Sequence, residues 1–216
     1  RHDPEIPLSE AIRMLKRMRI HHRPGSFYLY SNVGYLLAGA VIEKIAGLKY
    51  EEYLRREFLL PLGMQTTTSH PNDPYSRSVL AQGYGARGKA VPFLYTYFRP
   101  AAYSYSSISE MAQYVRFYLN NGAVDGAQIL KPESLQRIET PQTAQASKLG
   151  LLCGYGLGNE WAIRNQHTWR GHNGAGFGNY SDFWYNRDLN IGYIVLINQF
   201  DAQSADKVRK LRELLA

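Results

Sequence analysis

The sequence predicts an α+β fold, in which helices flank an antiparallel sheet and a helical subdomain precedes that sheet. Three observations carry this prediction. Before about residue 150, apolar residues recur at helical spacing in several segments, and a stretch rich in Pro, Gly and Tyr at residues 70–102 predicts long loops with short strands. From Gly154 onward, apolar residues form short runs that are typical of strands. The polar segment at residues 186–190 separates two of these runs and is short enough to join antiparallel neighbours.

Signals for helix ends define the first helices of the chain. An apolar stripe at residues 8–18 predicts the first helix, and Pro24-Gly25 breaks the pattern. Ser31 is placed to cap a second helix, which Gly47 ends. Residues 50–60 form a third amphipathic helix that ends before a proline.

The second half of the chain begins with two more helices. Ser107-Ile108-Ser109-Glu110 is a capping box, so a helix begins there and ends near Gly122, and Pro132 begins another helix. A closing helix follows the last strand and covers the sheet. The predicted strands are Tyr155 to Ile163, Thr168 to His172, Tyr180 to Tyr185 and Ile191 to Ile197.

The chain reads as a single domain over residues 1–216, because it shows no internal repeat and no low-complexity linker. Within it we place a helical subdomain at about 8–150 and the sheet with its closing helix at about 151–216. A hydrophobic content of 44% supports a sizeable core. No apolar stretch reaches the ~20 residues that a bilayer-spanning helix needs.

Charge and cysteine content exclude several classes of partner. The net charge is +7, but the basic clusters lie on amphipathic helices without a nucleic-acid-binding motif. We therefore expect no nucleic-acid partner, and only weak attraction to anionic polymers or lipid surfaces. Cys153 is the only cysteine, which rules out an internal disulfide and a Cys-rich metal site and is typical of a small core residue.

Tyr30-Ser31-Asn32 is the most informative local feature, because it places a phenol and a carboxamide two residues apart at a predicted helix start. A phenol has an ordinary pKa of about 10. To act as a base near neutral pH it needs a neighbouring cation that lowers its pKa. Each unit by which the pKa falls requires ~1.4 kcal/mol of preferential stabilisation of the phenolate.

These residues resemble a known family. Residues 27–37 with Pro61-Leu62-Gly63-Met64 look like the middle of the serine β-lactamase and penicillin-binding protein superfamily, and Ser106 to Met111 is similar to its Ser-rich turn. Gly171-His172-Asn173-Gly174 resembles its third motif, and the match runs from about Pro24 to Gln199. The resemblance implies a β-lactamase/transpeptidase-like fold and acyl transfer through a serine.

The resemblance also assigns roles around the Tyr-x-Asn turn. Tyr30 would be the general base, and Asn32 would hold the catalytic lysine and the substrate carbonyl. The alternatives are a buried structural tyrosine for Tyr30 and helix capping for Asn32.

On the strand, the resemblance implies that His172 faces the serine and hydrogen-bonds the phenol or a substrate carboxylate. Its titration near neutral pH would make activity depend on pH. Asn173, Gly174 and Ala175 would form the substrate and oxyanion site, with the Ala175 N–H as one donor. The alternative for His172 is an ordinary residue at a strand end.

The family's Ser-x-x-Lys motif does not occur before Tyr30. Ser204-Ala205-Asp206-Lys207 matches it, but we interpret Ser204 as the N-cap of the closing helix. We therefore expect the nucleophile on polypeptide that precedes Arg1, and the 216-residue chain alone to be inactive. Two alternatives stay open: a non-catalytic binding protein, and a nucleophile-bearing segment that associates as a separate chain.

Substrate class, cofactors and location follow from the remaining features. His-x-Gly in place of Lys-Thr-Gly resembles D-alanyl-D-alanine carboxypeptidases, D-amino-acid peptidases and esterases, so a peptide or ester ranks above a β-lactam.

We expect no metal, because the histidines lack ligand spacing. Residues 83–88 match a dinucleotide fingerprint, but residues 89–92 cannot open the required helix, so no organic cofactor is expected. A periplasmic or secreted location is expected from the family.

Overall fold

The computed structural model describes residues 7–16, 18–19, 22–23, 26, 29–69, 78–93, 98–141, 153–176 and 178–215, with backbone alone at Met14, Cys153 and residues 202–205. The predicted break at Pro24-Gly25 and the side chain of Cys153 therefore lie outside the described residues. The chain forms two compact units. The first comprises Arg1–Leu80 and Leu94–Ser106, and the second Ala81–Phe93 and Ser107–Ala216. The extent of a single domain stays a prediction.

The first unit is helical. Its elements are α1 (Leu8–Leu15), α2 (Asn32–Ala46) and α3 (Tyr50–Leu54), and α3 continues into a single π-helical turn at Arg55–Leu59. Buried side chains of α1 and α2 form one hydrophobic cluster of this unit, namely Leu8, Ala11, Leu36 and Ala40. The prediction that Met18 extends the α1 stripe is wrong, because α1 ends at Leu15 and Met18 is 59% exposed.

Both predicted ends of α2 are confirmed. Ser31 is extended (φ −147°) and its Oγ accepts a hydrogen bond from the Gly34 N–H at 3.3 Å. Gly47 adopts φ 67°, the left-handed conformation that ends helices at low cost in glycine, and its N–H donates to the Glu43 carbonyl. The position of Asn32 as the first residue of α2 therefore follows from hydrogen bonds within this segment.

The second unit is built on a five-stranded antiparallel sheet with the order β3-β4-β5-β6-β7. Its strands are β3 (Cys153–Tyr155), β4 (Glu160–Arg164), β5 (His167–Gly176), β6 (Asn179–Asn186) and β7 (Ile191–Ile197); a separate short hairpin pairs β1 (Ala123–Val124) with β2 (Ala127–Gln128). The predicted meander is confirmed, with Asn186 opposite Ile191 across the turn.

The prediction of one strand over 155–163 is wrong. Gly158 has φ 72°, and the Gly156 N–H donates to the Asn159 carbonyl at 2.8 Å. These features make a turn that splits the segment into β3 and β4.

The α-helices that the structure describes in the second unit are α4 (Ile108–Leu119), α5 (Pro132–Glu139) and α6 (Ala202–Leu215). The predicted starts of α4 and α5 are confirmed, since Ser107 Oγ accepts from the Glu110 N–H at 3.2 Å and Pro132 is the first residue of α5. The prediction that Ser204 caps the closing helix is wrong, because α6 begins two residues earlier and Ser204 lies in its first turn.

The sheet is covered on both faces by helices of its own unit. Paired residues of adjacent antiparallel strands point to the same face. Phe183 and Tyr185 meet Tyr118 of α4 at ring-centroid distances of 6.3 and 4.7 Å. On the opposite face, buried Asp182 pairs with Arg212 of α6 at 3.2 Å. These layers confirm the α+β class. No helix in the described part of the chain is long and apolar enough to cross a membrane.

Candidate active site

The Tyr-x-Asn turn lies where α2 begins. Tyr30 immediately precedes the capping residue Ser31 and is 49% exposed, and Asn32 is the first residue of the helix and is exposed. The structure argues against both alternatives for these residues, since Tyr30 is not a buried tyrosine and the cap is Ser31 rather than Asn32. The two side chains therefore lie at the protein surface in a fixed backbone frame.

His172 lies in β5, one residue beyond the part of that strand that pairs with β4. β4 pairs with β5 only up to Gly171, whereas β6 pairs with β5 from Arg170 to Gly176. Among the strands that the structure describes, none pairs with the other edge of β5 beyond Gly171. A strand edge of this kind can bind an extended substrate as an added strand.

The His172 ring is held at both nitrogens. Its Nδ1 lies 2.6 Å from the Asn173 carbonyl oxygen, and its Nε2 lies 3.0 Å from the Tyr155 hydroxyl. The rings of Tyr155 and His172 meet edge to face, with centroids 5.8 Å apart and an interplanar angle of 78°. A half-buried imidazole fixed in this way keeps one orientation.

The residues after His172 alternate between the faces of the sheet. Gly174 lies opposite Ser181, and a Cβ at Gly174 would come within 3.0 Å of Ser181 Oγ. Asn173 lies opposite Asp182, on the face covered by α6. His172 and Gly174 therefore share the face that α4 covers, and Asn173 takes part in the His172 contact through its backbone carbonyl.

Burial makes several tyrosines of the second unit unsuitable as a general base. Burial raises the pKa of Tyr180 to about 12, and it also raises the pKa of Tyr114, Tyr118, Tyr185 and Tyr193. A phenol with a raised pKa stays protonated near neutral pH and cannot act as a base. These five tyrosines are therefore poor candidates for the role that the sequence assigns to Tyr30.

Tyr155 is a residue that sequence reasoning missed as part of the site. It ends β3, opposite Glu160, which in turn lies opposite Gly171 of β5. The turn around Gly158 produces this register. Recognising that glycine as a turn signal places Tyr155 two strands from the His-x-Gly motif.

The predicted residues belong to different units of the chain: Tyr30 and Asn32 to the first, and His172, Asn173, Gly174 and Ala175 to the second. Their catalytic roles stay predictions. In the described residues, no group of three histidine, cysteine, aspartate or glutamate side chains is placed to hold a metal ion. The glycine-rich segment forms a three-residue 3-10 turn at Ala86–Gly88 and then returns to extended backbone at Lys89.

The layered sheet, the Tyr-x-Asn turn at a capped helix start and the His-x-Gly strand together define a protein of the β-lactamase/transpeptidase-like class. The family model described as Beta-lactamase matches residues 2–216. The chain therefore belongs to the beta-lactamase family, which is a family of serine hydrolases.

Sequence relatives match only part of their own length. Protein flp of Staphylococcus aureus (strain COL) is 27% identical over 196 residues, which cover 88% of this chain and 37% of that protein. The human mitochondrial serine beta-lactamase-like protein LACTB is 38% identical over 71 residues, or 32% of this chain and 13% of that protein. The chain thus spans little more than a third of the S. aureus relative.

Solved structures share the fold. A D-amino acid amidase from Ochrobactrum anthropi SV3, complexed with D-phenylalanine, superposes with TM-score 0.77 at 20% identity, covering 99% of this chain and 69% of that one. The octameric penicillin-binding protein homologue from Pyrococcus abyssi gives TM-score 0.72 at 24% identity, covering 89% and 44%. A D-stereospecific amidohydrolase from Streptomyces sp. gives TM-score 0.72 at 21% identity, covering 89% and 56%.

Proposed function

We propose that the chain forms the general-base and substrate-strand part of an acyl-transfer serine hydrolase that acts on amides, peptides or esters of D-amino acids. The observation that carries the proposal is the exposed Tyr30 next to Asn32 at the capped start of α2. Ser31 performs the capping, so neither Tyr30 nor Asn32 is needed as the cap of α2. Membership of a serine hydrolase family supports the reaction class.

In the proposed mechanism, Tyr30 acts as a phenolate beside the family's lysine. It removes the proton of the serine hydroxyl while the serine oxygen attacks the substrate carbonyl, and it passes that proton to the leaving amine or alcohol. Water then hydrolyses the acyl ester. The Ala175 N–H is one oxyanion donor, and removing such a donor typically costs ~3–4 kcal/mol.

The substrate class rests on His172. A lysine at this position offers a fixed positive charge, whereas an imidazole is neutral over part of the ordinary pH range. A β-lactam carboxylate is therefore a weaker fit than an amide or ester. The names of the Ochrobactrum and Streptomyces structural neighbours make D-amino-acid amides the first substrates to test, although their low identity supports the fold alone.

We propose that the nucleophile comes from polypeptide outside these 216 residues, either fused to the chain or bound to it. Ser204 is a poor alternative. It lies in the first turn of α6, whose Val208 is buried and whose Arg212 pairs with Asp182 of the sheet. That helix packs on the sheet of the second unit.

Covalent labelling tests the source of the nucleophile. The 216-residue chain should not be labelled by a fluorescent penicillin, and should not hydrolyse D-phenylalanine amide or a chromogenic ester. A longer protein that includes an upstream Ser-x-x-Lys should do both. Mass spectrometry that locates the label on Ser204, with loss of the label in Ser204→Ala, would overturn the proposal.

The role of Tyr30 is tested in the active, longer protein. Tyr30→Phe should lower kcat by roughly 10²–10⁴-fold, the usual contribution of general acid–base catalysis. Tyr35→Phe removes a hydroxyl from α2, just after the Tyr-x-Asn turn, and is the matched control, expected to keep kcat near the wild-type value. Equal losses in the two variants would assign the effect to folding rather than to proton transfer.

A second candidate, a non-catalytic binding protein, is favoured by one observation: no Ser-x-x-Lys precedes Tyr30 in these residues. Reversible binding of a penicillin or D-amino-acid amide without covalent labelling, in a protein whose upstream sequence also lacks that motif, would select it.

A further inference from the structure

We infer that Tyr155 is a positioning residue that holds neutral His172 in its Nδ1–H tautomer, and that this arrangement makes the site favour substrates without a free carboxylate. The inference rests on the proposed function for its catalytic consequence. The tautomer itself follows from the geometry of the second unit alone.

The first step is the contact at Nδ1. His172 Nδ1 lies 2.6 Å from the Asn173 carbonyl oxygen. A carbonyl oxygen only accepts hydrogen bonds, so Nδ1 must carry the hydrogen. In a neutral imidazole, one nitrogen is a donor and the other an acceptor. Nε2 of neutral His172 is therefore the acceptor.

The second step is the contact at Nε2. The Tyr155 oxygen lies 3.0 Å from Nε2, within hydrogen-bond distance. Since Nε2 accepts, the Tyr155 hydroxyl donates. The edge-to-face contact of the two rings fixes their orientation, so the hydroxyl stays directed at this nitrogen.

The consequence concerns substrate charge. Neutral His172 held in this tautomer has no Nε2–H to donate, because its single N–H is already bonded to the Asn173 carbonyl. A carboxylate accepts hydrogen bonds and donates none, so it gains nothing from this ring. An amide or ester avoids the desolvation cost of an unpaired carboxylate.

The nearest cation along the strand does not compensate. Arg170 lies two residues before His172 in β5, and its guanidinium is directed to the buried carboxylate of Glu139, with Nε 4.0 Å from Oε2. Glu139 is also bound by both terminal nitrogens of Arg187 at 2.6 Å. The Arg170 side chain thus lies beside a buried carboxylate of the second unit.

Nitrogen-15 NMR of the 216-residue chain tests the tautomer directly. With the histidine rings neutral at alkaline pH, His172 should show a pyrrole-type Nδ1 and a pyridine-type Nε2, and His172→Gln identifies its signals. A pyrrole-type Nε2 would overturn the inference. This measurement requires neither a nucleophile nor activity, and it needs no variant of Tyr155 that might misfold.

Tyr155→Phe then tests the cause. Removing the hydroxyl should shift the Nε2 resonance toward that of an unbonded pyridine-type nitrogen and increase the Nε2–H form. Tyr193→Phe removes a hydroxyl elsewhere in the same sheet and should leave the His172 signals unchanged. Identical spectra for wild type and Tyr155→Phe would show that Tyr155 does not set the tautomer.

Specificity is measured in the active, longer protein as the ratio of kcat/KM for D-phenylalanine amide to that for D-phenylalanyl-D-alanine, which has a free carboxylate. Tyr155→Phe should lower this ratio roughly tenfold or more, the worth of one hydrogen bond to a charged group. An unchanged ratio would overturn the effect on specificity. Lack of turnover with either substrate would refute the proposed function, whereas the tautomer is decided by NMR alone.

Discussion

At the scale of single residues, one missing Cβ sets how closely α4 approaches the sheet. A Cβ at Gly192 would lie 2.5 Å from Val115 Cγ1 of α4 and 3.0 Å from the Trp184 carbonyl oxygen. Because protein interiors are close-packed, such an overlap forces side chains or backbone to move. We expect Gly192→Ala to lower the free energy of unfolding by about 1–3 kcal/mol, measured by urea denaturation.

Two variants make the Gly192 prediction specific. Gly34→Ala places a Cβ in a helix where nothing lies within 4 Å, and it should be neutral or stabilising by up to about 1 kcal/mol. The double variant Gly192→Ala/Val115→Ala should lose less stability than the sum of the single changes. Strict additivity would show that Val115 is not the group that Gly192 accommodates.

The buried carboxylate of Asp182 gives a pH dependence. Burial raises the pKa of Asp182, against the opposing effects of Arg212 at 3.2 Å and the hydrogen bond from Trp184 Nε1 at 2.7 Å. The folded state then holds the proton more tightly than the unfolded chain. The stability that this group contributes is complete below the ordinary aspartate pKa of about 3.9 and is lost as pH rises through the folded pKa.

We therefore expect the free energy of unfolding of wild type, minus that of Asp182→Asn, to fall as pH rises above about 4. Urea denaturation of both proteins over a pH series measures this difference. Asp125→Asn, at a side chain that is 74% exposed, is the matched control, and a fall of the same size there would assign the effect to the loss of a carboxylate in general rather than to burial. A difference for Asp182 that grows with pH would mean that attraction to Arg212 outweighs burial.

At the scale of elements, helix starts that depend on local hydrogen bonds are well specified. Ser107 caps α4 through the Glu110 N–H, and an N-cap serine is typically worth ~1 kcal/mol. Ser107→Ala should lower the free energy of unfolding by about that amount in chemical denaturation. Ser134→Ala, at an exposed serine inside α5, is the control. An equal loss of stability in this variant would show that the effect of Ser107→Ala does not come from the capping hydrogen bond.

The same reasoning shows why some elements could be predicted and others could not. Ser31, Gly47 and Ser107 act on groups within a few residues, so the sequence is sufficient at those positions. At α6, Asp201 and Ser204 are both suitable capping residues, and propensity alone does not choose between them. The split between β3 and β4 was missed although Gly156, Gly158 and Asn159 are typical turn residues, because the apolar residues on either side of them together fit the pattern of one strand.

At the scale of the whole molecule, contacts between distant residues could not be predicted. Glu139 of α5 binds Arg187 at 2.6 Å and accepts a hydrogen bond from the Tyr185 hydroxyl, and Asn159 donates to that hydroxyl at 3.1 Å. Arg187 also donates to the Tyr118 carbonyl at 2.8 Å. These partners lie between 26 and 69 residues apart, so no local sequence pattern predicts their contacts. The Tyr155–His172 contact joins residues 17 apart and was missed together with the turn that separates β3 from β4.

The edge of the sheet gives a prediction at this scale. β7 pairs with β6 along Ile191–Ile197, and no described strand pairs with its other edge. This edge carries no proline and no charged residue, so its backbone is a template for another strand.

We expect the isolated chain to self-associate through β7, and Leu196→Lys to reduce that association, because an edge lysine opposes pairing. Leu196 is 39% exposed, so the folded state tolerates the charge. Sedimentation velocity and the growth of thioflavin-T fluorescence on concentration measure the effect. Leu214→Lys makes the same change at an 84% exposed position of α6 and adds the same charge away from the edge. Equal reductions in the two variants would assign the effect to net charge, whereas a reduction confined to Leu196→Lys would locate the association at β7.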